Sequence, residues 1–276
     1  MQRVLVIEDE SVASGLKDAP ALGAYEIERC AGDACAVRHL RERAFDVVVT
    51  DPARSVREAF ALTYEIQEAR PGVRVIVLAP AASPDDLIEA LRARVFACFT
   101  APFDIREVAF MVANAIEMTD WRDGIEVLSG LPHWLTLRVS CERVTAERLV
   151  QFMREYRSEI SDTDRVALTT AFREILLNAM EHGAGFSPDK VVEVTAARTA
   201  RSIVYHVRDP GPGFSRDDLG HAAIANSPGE PLAHMARRAE RGMRPGGFGI
   251  LLAKKVVDEL IYNERGNEVL LIKYVP

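Results

Sequence analysis

The stretch FREILLNAMEHG, residues 172–183, carries the first group of side chains that point to a function. On a helix, Glu174 and Asn178 would lie one turn apart on the same face, while the apolar residues around them cover the core. Mg²⁺ takes few protein oxygens, so a single Asn with ligand oxygens could hold it while Glu174 stays available as a base. The same pair would also fit a solvated helix face.

A second group is DPGPGF, residues 209–214, which directly follows a strand predicted at Ser202–Arg208. A carboxylate at the end of a strand, here Asp209, can accept a hydrogen bond from an exocyclic amine such as adenine offers. Gly211 and Gly213 allow a ligand to approach the backbone closely. The alternative is a Pro-Gly turn that binds nothing.

A third group is PGGFG, residues 245–249, which leads into an apolar helix predicted over Phe248–Leu260. The first amides of a helix and the positive end of its dipole attract phosphate oxygens. The alternative is a glycine-rich loop that only caps the helix. Other nucleotide motifs fail, because Arg216 and Leu252 occupy the third glycine position of a dinucleotide-binding fingerprint and no P-loop or protein-kinase motif set is present.

The order of elements around these groups predicts an α/β sandwich, because strands come in runs and helices gather on one side. The predicted elements are strands at Leu135–Cys141, Val191–Ala197, Ser202–Arg208 and Val269–Tyr274, and helices at Ala146–Glu159 and from Ser161 or Asp162 to His182.

The first part of the chain has a different pattern, in which short Val- and Ile-rich runs alternate with amphipathic stretches. This pattern predicts a doubly wound parallel sheet buried on both faces. The strands are expected at Val4–Ile7, Asp46–Thr50, Val73–Leu78 and Val95–Phe99, and helices at Ala59–Ala69, Asp85–Arg92 and Ile105–Glu117. Asp-Gly, Ser-Gly and Leu-Pro interrupt residues 121–132, so we predict one domain at 1–120, a linker at 121–132 and a second domain at 133–276.

Charge and composition exclude several classes of protein. Residues 1–120 contain 13 Lys and Arg against 20 Asp and Glu, whereas residues 121–276 contain 21 of each, so no basic surface for nucleic acid is expected. No apolar run is long enough to cross a membrane, and the four cysteines form no C-x-x-C pair. A soluble, cytoplasmic protein with reduced thiols is expected.

The three groups, in this order and context, resemble the GHKL ATPase superfamily, whose ATP-binding domain has the Bergerat fold, with its N box, D-x-G-x-G box and glycine-rich lid box. The resemblance covers about residues 131–276 and implies ATP and Mg²⁺ as cofactors. It implies Glu174 as general base, Asn178 as Mg²⁺ ligand and Asp209 as the adenine contact. It also implies that five glycines shape the pocket: Gly211, Gly213, Gly246, Gly247 and Gly249.

Within that superfamily the chain is similar to the anti-sigma-factor serine kinases, both in the order of its elements and in two late stretches, GILLAKKVVDEL at residues 249–260 and GNEVLLIK at residues 266–273. The resemblance implies a serine kinase whose substrate is an anti-sigma-factor antagonist. We also expect a sigma factor as a further partner and a homodimer of the chain. His133 lies beside Pro132, which disfavours the helix that a phosphorylated histidine requires. The alternatives are a non-catalytic ATP-binding module that sequesters a partner, and a histidine-kinase-type signalling protein.

Residues 1–120 resemble a response-regulator receiver domain. VLVIEDE, residues 4–10, and FDVVVTD, residues 45–51, place acidic side chains at strand ends, where open α/β sheets bind ligands. The resemblance implies Asp51 as phosphoacceptor and Glu8 and Asp9 as the Mg²⁺-binding pair, although clustered acids also occur at solvated strand ends.

Two departures concern the receiver-like switch. Ala79 stands where the family has a hydroxyl residue, and Ala101 stands where it has Lys. An aspartyl phosphate without that cation loses a stabilising partner. We therefore expect a degenerate receiver that regulates the second domain through docking or dimerisation.

Overall fold

The structure, a computed structural model, describes residues 2–118, 122–157, 160–213 and 249–275. The chain divides into two compact units. Residues 1–123 with 151–156 form the first unit, and residues 124–150 with 157–276 form the second.

The first unit is built on five parallel strands in the order β2-β1-β3-β4-β5. This is the flavodoxin-like doubly wound order, so the predicted fold class is confirmed. The central strands are buried along their whole length, as a sheet covered on both faces requires. The strands are β1 Arg3–Ile7, β2 Glu26–Cys30, β3 Val47–Val49, β4 Arg74–Ala79 and β5 Ala97–Thr100.

Five helices cover this sheet, and capping side chains fix the starts of all of them except α2, which begins after Gly32. Ser55 and Ser83 each accept a hydrogen bond from the third helical amide, and an acid at that third position bonds back to the capping residue. The helices are α1 Glu10–Lys17, α2 Asp33–Glu42, α3 Val56–Ala69, α4 Pro84–Arg92 and α5 Ile105–Glu117.

Strand β2 was not predicted from the sequence. Its segment EIERC contains three charged residues among five, because β2 is an edge strand that is only partly buried. An apolar run, the signal that located the other strands, is therefore missing here.

The second unit is built on six antiparallel strands in the order β10-β11-β9-β8-β7-β6. Along β7 and β8, buried residues alternate with partly exposed ones, so one face of the sheet is covered. The predicted α/β sandwich is confirmed. The strands are β6 Ile125–Leu131, β7 Trp134–Ser140, β8 Val191–Arg198, β9 Ser202–Arg208, β10 Glu259–Tyr262 and β11 Glu268–Tyr274. The helices are α6 Arg143–Tyr156, whose residues 151–156 belong to the first unit, α7 Asp162–Asn178 and α8 Gly249–Val256.

Two parts of the second unit differ from the sequence-based expectation. The segment predicted as a linker, residues 121–132, contains β6, which pairs with β7; a register shift between Val127 and Ser129 accommodates the irregular sequence in an edge strand. The helix predicted to run to Leu260 ends at Val256, and Glu259–Tyr262 forms a strand instead. Pairing with β11 outweighs the local helical pattern there.

Within the part of the chain that the structure describes, every helix is too short or too polar to cross a membrane.

Candidate functional site

Helix α7 presents the first predicted residues, and its start and packing fix their position. The Ser161 hydroxyl accepts a hydrogen bond from the Asp164 amide at 3.1 Å, so Ser161 is the N-cap and the helix begins at Asp162, one of the two predicted starts. On the core side, the rings of Phe172 and Tyr205 meet at 4.9 Å between centroids, and both side chains are fully buried. This contact ties α7 to β9, the strand that leads to Asp209.

Glu174 and Asn178 lie on one face of α7, and the first residue of α8 lies against them. A Cβ added at Gly249 would be 2.7 Å from Oε2 of Glu174 and 3.3 Å from Nδ2 of Asn178. Only a glycine permits this approach without displacing the carboxylate. The structure therefore brings the base candidate, the amide ligand candidate and the N-terminus of α8 together.

Asp209 lies at the other end of the same region, where α7 gives way to one π-helical turn, Ala179–Gly183. A Cβ at Gly183 would overlap the Asp209 carboxylate, and one at Gly211 would be 2.7 Å from the Cα of Gly183. The Gly211 amide donates to Oδ1 of Asp209 at 2.8 Å. Two glycines thus allow the segment after α7 and the loop after β9 to touch around one carboxylate.

The Asp209 side chain is partly withdrawn from water. Burial raises the pKa of its carboxyl above the usual value, and the Gly211 N–H and the Arg265 charge offset only part of that effect. Burial, and after it the charge of Asp209, raise the pKa of the Cys141 thiol to about 11 and also raise the pKa of the Tyr262 hydroxyl. A half-buried carboxylate beside these groups is a strong hydrogen-bond acceptor.

The turn between β10 and β11 holds the loop that carries Asp209. The Asp209 amide donates to the Asn267 carbonyl at 3.0 Å, and Nδ2 of Asn267 donates to the Asp209 carbonyl at 3.3 Å. Nε of Arg265 donates to the Pro212 carbonyl at 3.2 Å. Gly213, with φ of 81°, lies so close to the Arg265 carbonyl that a Cβ would overlap it. Gly213 therefore packs against this turn.

The turn itself is organised by one side chain. Oδ1 of Asn263 accepts hydrogen bonds from the amides of Gly266, Asn267 and Glu268 at 2.7, 3.1 and 3.2 Å. Asn267 is 7% exposed, so its polar groups need these partners.

Sequence reasoning missed Gly183 and Asn267 as site residues. Gly183 ended a recognised motif but has no chemical group to signal its role, and the buried Asn267 becomes visible only when β11 is paired with β9. Two predicted pocket residues, Gly246 and Gly247, lie outside the described residues.

The predicted receiver residues lie at the carboxyl edge of the first sheet, where each has local contacts. The Asp9 carboxylate accepts from the Ser11 hydroxyl at 2.6 Å and the Val12 amide at 2.8 Å, and these bonds lower its pKa. Asp51 accepts from the Ala53 amide at 2.9 Å. Oε1 of Glu8 is 3.3 Å from the position of a Cβ on Gly32.

Among the residues that the structure describes, no group of three His, Cys, Asp or Glu side chains could hold a metal ion. The Mg²⁺ site at Glu8, Asp9 and Asp51 therefore stays a prediction. In the structure Asp9 caps α1, and Glu8, with φ of 65°, lies beside the loop after β2.

The comparisons with known proteins identify the second unit. Residues 139–273 match the family model of the histidine kinase-like ATPase domain. This ATPase domain contains α7, Asp209 and the turn that holds it, and it implies ATP binding. No curated protein matches the chain.

Three solved structures are similar to the first unit. A CheY-like receiver domain protein from Methanospirillum hungatei JF-1 is 19% identical over 42% of this chain and 94% of that chain, with a TM-score of 0.37. The HemR receiver domain from Leptospira biflexa is 22% identical over 44% of this chain and 99% of that chain, with a TM-score of 0.39. The receiver domain of Francisella response regulator 1452 is 21% identical over 44% of this chain and 100% of that chain, with a TM-score of 0.38. The first unit has the flavodoxin-like strand order that receiver folds also have, and the second unit contains the segment that matches the histidine kinase-like ATPase domain.

The residues of the ATPase domain fit an adenine nucleotide. One oxygen of Asp209 accepts the Gly211 N–H, and within the described residues nothing donates to the other oxygen, which leaves an acceptor for an amine. Glu174 places a carboxylate oxygen, and Asn178 its side-chain amide, beside the first turn of α8, whose backbone amides can face phosphates.

Proposed function

We propose that the chain is an ATP-dependent protein serine kinase of the anti-sigma-factor type, which acts in the cytoplasm on an anti-sigma-factor antagonist. A sigma factor is a second partner in this proposal, and the kinase works as a homodimer. The observation that carries it is the meeting of Glu174, Asn178 and the start of α8 at Gly249. A base, a metal-ligating amide and phosphate-facing amides are the parts that phosphoryl transfer needs in one place.

Each residue has a defined task in this proposal. Asp209 accepts the adenine amine, Asn178 would hold Mg²⁺ together with the nucleotide, and the α8 amides orient the phosphates. Mg²⁺, when bound there, would neutralise part of the phosphate charge. The Glu174 carboxylate takes the proton of the incoming serine hydroxyl, and the side chain is 30% exposed, which leaves it accessible to a protein substrate.

Histidine-type transfer is a weaker fit. His133 lies in the tight turn between β6 and β7, and not on a helix where a phosphoacceptor could pack against a partner helix. His182 lies in the π-helical turn after α7 and is exposed.

The test incubates the full chain with Mg²⁺, γ-labelled ATP and a single-domain anti-sigma-factor antagonist that carries a phosphoacceptor serine. We expect acid-stable label on that serine. Glu174→Gln should abolish the label but leave the Kd for ATP within about threefold, since charge removal at the base spares the adenine contact. Glu193→Gln, which changes an exposed acid on β8, serves as the matched control and should keep full activity.

Two outcomes would reject the kinase proposal. Tight ATP binding with no label on any of several antagonists would indicate a non-catalytic module that sequesters its partner. Acid-labile label would indicate transfer to histidine.

The regulatory role proposed for the first unit is tested in a separate experiment. Beryllofluoride with Mg²⁺ should leave the melting temperature of the full chain unchanged, because Ala101 offers no cation to a phosphoryl group. A rise in melting temperature that Asp51→Asn removes would show that the receiver-like domain is a working switch.

A further inference from the structure

Arg173 lies directly before the proposed base, and its guanidinium contacts two carboxylates. Nε of Arg173 donates to Oε2 of Glu147 at 3.1 Å, and Nη2 donates to the other oxygen of Glu147. Nη1 is 3.7 Å from Oε1 of Glu174, which is too long for a hydrogen bond but within the range of an ion pair. Glu147 lies on α6 and the other two residues lie on α7, and all three belong to the second unit. One guanidinium therefore joins a carboxylate of α6 to the proposed base.

The contact between Arg173 and Glu174 does not follow from their positions in the helix. Consecutive residues of an α-helix project about 100° apart, so their side chains do not face each other. The contact therefore needs a third group that directs the Arg173 side chain toward Glu174, and the two bonds to Glu147 supply it. The Glu147 side chain is 19% exposed, and a bidentate pair of this kind fixes the plane of the guanidinium. A pair that only joined α6 to α7 would not need the third nitrogen beside Glu174.

The two oxygens of Glu174 have different surroundings. Oε1 faces the Arg173 guanidinium, whereas Oε2 is 2.7 Å from the position that a Cβ on Gly249 would occupy. The carboxylate is thus held between a cation on one side and the first residue of α8 on the other. Both charged side chains are partly exposed, so an ion pair at this distance contributes little to stability, and its effect is on orientation.

We propose that Arg173 is a positioning residue for Glu174 and that Glu147 acts by holding Arg173, an inference that rests on the phosphoryl transfer proposed above. Arg173 keeps Oε1 occupied, so Oε2 is the oxygen that takes the proton of the serine hydroxyl. As that proton leaves, the serine oxygen bonds to the γ-phosphorus, and the bond from this phosphorus to the bridging oxygen breaks with ADP as the leaving group. A displacement of about 1 Å in a reacting group can lower a rate about 100-fold, so a weak ion pair can have a large effect on transfer.

Three variants of the full chain are compared with the wild type: Arg173→Gln, Glu147→Gln and the double variant. Initial rates of label transfer to the antagonist serine give kcat and the KM for ATP. Each single variant should lower kcat about tenfold and leave the KM for ATP within about twofold, because the proposed nucleotide contacts stay in place. The double variant should match Arg173→Gln, since Glu147 has no effect once Arg173 is gone. Arg173→Lys should not restore kcat, because lysine keeps the charge but lacks the planar fork that binds Glu147.

A second measurement does not depend on activity. The amide resonance of Gly249 reports the position of Oε2 of Glu174, which lies against this residue. In nuclear magnetic resonance spectra of the full chain, Arg173→Gln and Glu147→Gln should move this resonance in the same direction. Arg165→Gln is the matched control, since it removes an arginine of α7 that pairs with an acid in the first turn, and it should leave both kcat and the resonance unchanged. Melting curves check that each variant is folded.

The results separate this inference from the proposed kinase function. If the wild type transfers no label, the kinase proposal fails, and the Gly249 resonance alone decides whether Arg173 positions Glu174. A Gly249 resonance that is the same in the wild type and in folded Arg173→Gln would overturn the inference. So would a double variant whose loss of kcat is the product of the two single losses, because Glu147 and Arg173 would then act independently.

Discussion

Replacing Asp209 with Asn separates the charge of this side chain from its shape. Asn keeps an oxygen that can accept the Gly211 N–H, which lies 2.8 Å from Oδ1 of Asp209. It presents an amide where the carboxylate had offered a second acceptor, so the adenine amine meets a donor. A hydrogen bond to a charged group contributes about 1.5–3 kcal/mol, so the Kd for ATP should rise about 10-fold to 150-fold.

The same substitution should not destabilise the folded chain. Burial raises the pKa of the Asp209 carboxyl, so the ionised form costs free energy in the folded state at neutral pH. The stability associated with a raised pKa is present below the unfolded value of 3.8 and is lost as the pH rises through the folded value. Asp209→Asn should therefore match or exceed the wild-type melting temperature at pH 7, and the difference should shrink near pH 4.

Calorimetry with ATP and with inosine triphosphate tests the assignment, because the 6-oxo group of inosine cannot donate to a carboxylate. The wild type should favour ATP, and Asp209→Asn should lose most of that preference. Asp189→Asn, which changes an exposed Asp of the same unit, is the control and should behave as wild type. Loss of ATP binding together with a fall in melting temperature would mean that Asp209 is structural, and unchanged ATP affinity would mean that it does not contact the base.

Three further substitutions probe other contacts. Gly249→Ala should slow phosphoryl transfer at least about tenfold with a change of only a few degrees in melting temperature, because the added methyl displaces the end of the flexible Glu174 side chain; label transfer and melting curves measure both. Asn267→Ala should raise the Kd for ATP about 2-fold to 10-fold, since it removes a buried neutral hydrogen bond to the loop of Asp209; calorimetry measures this. Ser83→Ala should lower the free energy of unfolding by about 1 kcal/mol through loss of a capping box, as urea denaturation would show, with no effect on ATP affinity.

Gly23→Ala is a suitable control for the glycine substitution, because its nearest neighbour would be at an ordinary contact distance of 3.7 Å. Equal transfer rates for Gly249→Ala and Gly23→Ala would contradict the placement of Glu174 beside α8. If Asn267→Ala leaves the ATP affinity unchanged, the turn between β10 and β11 does not position the loop of Asp209 for nucleotide binding.

Both fold classes could be predicted because the sequence patterns were strong and local. The Val-rich runs of β1, β3 and β4 predicted strands that are buried on both faces. The helix that contains Glu174 could be predicted from its apolar residues and from Ser161 at its start. The elements that failed, β2, β6 and β10, all lie at sheet edges or next to them. An edge strand is half exposed, so its sequence carries a weaker signal and its pairing partner decides its structure.

The candidate site divides in the same way. Glu174, Asn178 and Asp209 could be found from their chemistry and spacing. Gly183 and Asn267 could not, because they contribute backbone proximity and a hydrogen bond that exist only once distant segments meet.

The turn organised by Asn263 has a consequence for how this protein can vary. Three successive amides converge on one side chain, so the number of residues between β10 and β11 is fixed by that geometry. An insertion of one residue would have to bulge outward or slip β11 against β9, and such a slip exchanges the inward and outward sides of the strand. The length of the hairpin therefore sets the register of β11 in the sheet. A change in that length would disturb Asp209 as directly as a substitution of Asp209 itself.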